Sequence, residues 1–350
     1  MNYNKCRFIF ICTGVIDLKK IYRLLGIFLI LFSAAFLFPE KVMAAPGAGV
    51  GTVFPVKTRE YAQSAVSSQQ VYLNGMGFIV DTYHDRILYN DSIDPGRNLL
   101  TWKVMADDLN KPHSICSDGL IYLVTDTDNN RVVTYTRLPS GEFIELQSFE
   151  NVGIRPHYCV YDAPTSSFYV WSSYTGEMYI YKRSSGGFEV KLSTVKKVSA
   201  LFGLYTRSFT IDGDKIILCS QGAGGIVVVN KRTFKIVAAY TVPNEIGGVV
   251  QVSHIGNHYY LTTSSDRCGN MAMARTVRST SLAGFMSMST CEDVTAALGG
   301  VTGIQIPYYI TECGGIYCAR FTGMGSGYHD KGCLFTEDAL GNIVVYSVLP

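Results

Sequence analysis

The chain has 350 residues, 47% of them hydrophobic and 17% charged, with a formal net charge of +2. That apolar share can fill a large core. A near-neutral balance with no run of Lys and Arg beyond the N-terminal region excludes the basic face that a nucleic-acid partner needs.

The first elements are an address, not a fold. Lys19, Lys20 and Arg23 precede an apolar run over residues 24–38, and Val42-Met43-Ala44 puts small residues where a signal peptidase reads. The run is shorter than the ~20 residues of a spanning helix. Residues 1–44 are therefore read as a signal peptide cleaved before Ala45, with an uncleaved anchor as the alternative. Cleavage makes the product secreted or cell-surface and leaves no membrane segment. Residues 45–65 begin APGAGVG and read as a flexible linker.

From residue 66 onward one unit recurs, most clearly over residues 110–135. Residues 114–117 alternate apolar and polar, Asp118-Gly119 makes a hairpin turn, and residues 120–124 are a β-branched and aromatic run. A second turn spans Asp126 to Asn130, and residues 131–135 form a third strand. Equivalent first turns stand at Asn74-Gly75, Asp118-Gly119, Asp162-Ala163, Asp212-Gly213, Gly256-Asn257 and Gly314-Gly315. The first three intervals are 44, 44 and 50 residues, a propeller-blade period. Fourth strands follow in the first four units. The reading is all-β: a six-bladed β-propeller of four-stranded blades over residues 66–350, with almost no helix. The last blade is expected to be the least regular, closed by a strand over residues 343–346. Residues 66–73 are expected to pair with that blade and shut the ring. The Asp81/Arg86 and Asp126/Arg131 pairs share one spacing and read as hairpin braces.

Pro112, Asp118-Gly119, Ile121-Tyr122, Asp126, Asn130-Arg131-Val132 and Tyr135 resemble the NHL repeat, a blade of propellers with TolB-like architecture. Eight cysteines follow residue 44. Cys116, Cys159 and Cys219 read as core residues, whereas Cys268, Cys291, Cys313, Cys318 and Cys333 crowd the last third, where any disulfide would fall. Cys313 and Cys318 with His329 and Cys333 offer an alternative zinc set.

Residues entering each innermost strand should face the central channel. Five positions before the turn stand Gln69, His113, His157 and Arg207, and Pro307-Tyr308-Tyr309 matches Pro156-His157-Tyr158, which adds Tyr308. Val250 or Gln251 takes the place in the fifth unit. This donor-rich set favours a small anionic ligand, a carboxylate, phosphate or sulfate, or an extracellular protein or peptide partner bearing such a group. Pro112-His113-Ser114, and partly Pro156-His157-Tyr158, resemble segments of the peptidyl-α-hydroxyglycine amidating lyases, NHL-type propellers with a channel zinc. The resemblance implies that His113 and His157 are metal ligands of a metal-assisted lyase or hydrolase, with Tyr308 or Arg207 as acid or electrophile. The third reading is a purely structural interaction module with an inert channel.

Overall fold

Each unit folds because short β-branched and aromatic runs alternate with residues that turn the chain. Asn74 and Gly75, with φ of 54° and 78°, make the two-residue hairpin between the first two strands. The computed structural model describes residues 67–91, 102–323 and 330–349. The signal-peptide and linker readings, and His329, lie outside the described residues.

The first blade is β1 (Gln69–Leu73), β2 (Met76–Asp81), β3 (Arg86–Asn90) and β4 (Lys103–Ala106). The second is β5 (Pro112–Ser117), β6 (Ile121–Asp126), β7 (Arg131–Arg137) and β8 (Phe143–Phe149). The third is β9 (Pro156–Asp162), β10 (Ser167–Ser172), β11 (Glu177–Arg183) and β12 (Val190–Lys197). The fourth is β13 (Thr206–Asp212), β14 (Lys215–Ser220), β15 (Gly225–Asn230) and β16 (Ile236–Thr241). The fifth is β17 (Val249–Ile255), β18 (His258–Thr263), β19 (Arg275–Ser279) and β20 (Glu292–Asp293). The sixth is β21 (Gln305–Cys313), β22 (Ile316–Gly323), β23 (Lys331–Glu337) and β24 (Ile343–Leu349).

All six sheets are antiparallel meanders in chain order. The first strand of each packs beside the first strand of the next, and β1 returns to β21. The molecule is thus an all-β six-bladed propeller. Helical structure among the described residues is limited to 3-10 turns of three to five residues.

Two expectations change. The sixth blade has long strands of nine, eight, seven and seven residues. The irregular blade is the fifth, whose outer strand has two residues. Its third strand is followed by 3-10 turns over Leu282–Met286 and Met288–Thr290, which take up the chain that elsewhere forms an outer strand. The N-terminal segment does meet the last blade, but as the inner strand of its own blade. Thr311 Oγ1 donates to the Gln70 carbonyl, and Tyr309 N to Ser68 O at 3.4 Å.

The core lies between blades. Phe78, Val80 and Tyr89 of the first pack on Tyr122, Val133 and Phe143 of the second. Similar clusters fill the next four junctions. Cys116, Cys159 and Cys219 are buried thiols within them, and Cys291, Cys313, Cys318 and Cys333 are also unbridged.

Candidate functional site

Inner-strand register places the candidate residues. In β5, Pro112 pairs with Asp126 and Ser114 with Thr125, so His113 is an extra, bulged residue. The same shift falls at His157 in β9, Arg207 in β13 and Val250 in β17, and at Tyr308 and Tyr309 together in β21. A bulge re-aims its side chain and bends the strand. β1 has no bulge, since Gln69 pairs regularly with Val80.

The bulges bring together groups far apart in sequence. The His113 and His157 rings lie 3.9 Å apart between centroids, and Tyr308 is 6.4 Å from His113. Tyr309 Oη bonds His157 Nδ1 at 2.9 Å, and Tyr205 Oη bonds His157 Nε2 at 3.1 Å. The Arg207 guanidinium lies 5.4 Å over the Tyr205 ring and donates from Nη1 to Ser264 Oγ at 2.6 Å. Its Nε is buried without a hydrogen-bond partner. Among the described residues no carboxylate forms an ion pair with Arg207. Arg155 stands close by, paired to Asp128 at 2.6 Å.

Gln69 stands apart from this group. Lacking a bulge, its side chain stays in strand register, and its Oε1 accepts from Ile115 N at 2.8 Å. Gln251 does the same one blade before the last, accepting from Ile310 N at 2.7 Å, while Val250 sits in the apolar core. Tyr205, Tyr309 and Arg155 belong to the cluster and were not singled out from the sequence. Their signals were a tyrosine two positions before Arg207, the doubled Tyr308-Tyr309, and a basic residue ahead of each Pro-His pair (Lys111 and Arg155).

Burial pushes the His113 pKa down to about 4, although the Lys111 carbonyl favours its protonated form and Arg155 and Arg207 oppose it. His157 lies well below its ordinary value, through burial first and then His113 and the two guanidinium groups. Burial raises Tyr308 and Tyr309. At neutral pH the site therefore holds uncharged imidazoles, protonated phenols and cationic Arg207.

These residues do not fit a metal centre. A catalytic zinc has three protein ligands and an open position. Both His157 nitrogens are bonded to tyrosines and His113 Nδ1 to the Lys111 carbonyl at 2.8 Å, while guanidinium groups stand nearby. Among the described residues no group of three or more His, Cys, Asp or Glu side chains could hold a metal ion. His113 and His157 serve here as neutral hydrogen-bonding groups.

The chain matches no protein-family model and no curated protein by sequence. Among solved structures, one chain from a mitotic checkpoint complex aligns over 90% of this chain and 89% of its own, at 12% identity and a TM-score of 0.50. A Lactobacillus plantarum protein aligns over 78% of this chain and 77% of its own, at 11% identity and a TM-score of 0.48. One from a nidogen/laminin complex covers 62% and 76%, at 15% identity and a TM-score of 0.43. Likeness at such identities speaks to the fold alone.

Proposed function

We propose that this chain is a secreted propeller with NHL-like blades that binds a small anionic ligand, free or carried by an extracellular partner, at one mouth of its channel. The observation supporting this reading is Arg207. Its guanidinium lies among Tyr205, Tyr308 and Tyr309, with a buried Nε lacking a partner and no carboxylate opposite it among the described residues. A partly buried cation without a counter-charge carries a desolvation cost, and an anion relieves it. The Tyr308 hydroxyl, not engaged with His157, supplies a further donor for the same oxygens.

Citrate, inorganic phosphate and sulfate are the probes, titrated calorimetrically into the mature protein. At least one binds saturably, and Arg207→Ala weakens it by about 1–3 kcal/mol, the cost of leaving a charged partner unmatched. Equal affinity in the variant overturns the reading. Bound anion also favours protonated imidazole, so affinity rises as pH falls towards the free-state value of about 4 for His113.

A further inference from the structure

Along the inner strands beyond the bulges lies an open cavity of about 420 Å³. Small-molecule sites fall in this size range. Its wall is half apolar, through Val71, Ile115, Phe209, Ile211 and Ile310. Gln69, Tyr158 and Gln251 mark the end nearer the imidazoles; Asp212, His254 and Glu312 mark the other. No Lys or Arg lines it.

Two independent features point to a ligand. At the acidic end, Glu312 is exposed and Asp212 half-buried, and neither pairs with Lys or Arg among the described residues. Asp212 meets His254 Nδ1 at 3.5 Å and the Tyr259 hydroxyl at 3.3 Å. At the other end, two donors on side chains more than nine-tenths buried lack acceptors. Gln69 is 2% exposed, and its Oε1 is taken by Ile115 N while its Nε2 has no partner among the described residues. Tyr158 is 5% exposed; its oxygen accepts from Gln251 Nε2 at 2.8 Å, and its own hydroxyl hydrogen has no acceptor there. Both residues line the cavity, where an acceptor on a ligand can reach these donors.

We propose that this cavity binds a small organic cation with an apolar body and an oxygen acceptor at its far end. The ammonium sits at Asp212 and Glu312, the body against Phe209 and the aliphatic wall, and the oxygen accepts from Gln69 Nε2 and Tyr158 Oη. The site shares no residue with the Arg207 cluster.

Tyramine, 2-phenylethylamine and 4-ethylphenol separate the two polar ends, titrated calorimetrically into the full mature chain at pH 7. Tyramine binds at one per chain, and 4-ethylphenol, which lacks the charge, binds at least tenfold more weakly. Asp212→Asn with Glu312→Gln brings tyramine to the level of 4-ethylphenol. Tyr158→Phe narrows the advantage of tyramine over 2-phenylethylamine. Arg207→Ala leaves tyramine binding unchanged. No saturable tyramine binding overturns the proposal, as do equal affinity for 4-ethylphenol, an unaffected double variant with a wild-type melting temperature, or loss of tyramine binding in Arg207→Ala.

Discussion

His157 has a tyrosine hydroxyl on each ring nitrogen, and His113 has an acceptor-only carbonyl on Nδ1. The Lys111 carbonyl fixes the His113 proton on Nδ1, leaving Nε2 as acceptor. Neutrality of the pair has a stability consequence. The folded pKa of His113 is about 4 against an ordinary 6.5. Between those values the unfolded chain takes up a proton that the folded chain refuses, so stability falls as pH drops from 6.5 to 4. For His113 the loss amounts to about 3 kcal/mol over that window, and His157 adds in the same direction. His113→Asn keeps a donor for the Lys111 carbonyl and removes the titration. Denaturant unfolding at pH 7 and pH 4.5 should show a smaller acid-induced loss in the variant than in the wild type.

At the scale of the element, hairpins brace the entry to the next blade. Asn130, Gly176 and Gly224 hold φ of 53°, 64° and 80°. Their carbonyls accept from Val152, Val198 and Val242 in the segments that follow. Asn130 Oδ1 also accepts Arg155 N, which sets the approach to His157. Asp126 accepts from Asn110 N and Arg131 Nε, the brace read from its spacing. Such turns were legible because Gly, Asn and Asp mark them, and their period exposed the blade count. The outer strand of the fifth blade was not, because its two residues leave no β-branched run to detect. The bulges were hidden too, since an extra residue changes register without changing composition. Counting back from the turn lands on the bulge at His113, His157 and Arg207 because it falls at one place in those strands, whereas β1 has no bulge at Gln69. A Cβ on Gly176 would lie 2.8 Å from the Val198 carbonyl oxygen and 3.0 Å from Phe202 N, in a left-handed backbone. Gly176→Ala should therefore cost about 2 kcal/mol or more, whereas Asn130→Gly should cost under 1 kcal/mol plus its lost side-chain bond. Urea unfolding of both variants checks the order.

At the scale of the molecule, the junction between the first and sixth blades differs from the other five. Among the described residues, its apolar cluster is small, with Tyr72 and Cys318 flanked by Cys313 and Leu334. Polar groups supply the closure instead. Asp330 Oδ2 accepts from Ser67 N at 2.7 Å, Ser67 Oγ at 2.8 Å and Arg320 Nη2 at 3.1 Å, and Arg320 Nη1 donates to Gln70 Oε1 at 3.0 Å. The Arg320 and Asp330 side chains are 1% and 3% exposed. A buried pair adds little net stability over apolar packing, but removing one partner leaves the other charged and dry. Arg320→Ala and Asp330→Ala should each cost about 3–5 kcal/mol, and the double variant should cost less than their sum. The loss should be local before it is global, because among the described residues this seam has the smallest apolar cluster to hold it. Hydrogen exchange in Asp330→Ala should therefore quicken first in β1 and β22, while β6 and β10, in the apolar junctions, stay protected. Equal acceleration across all blades would show that the ring opens as one unit and that the polar seam is no weaker than the rest.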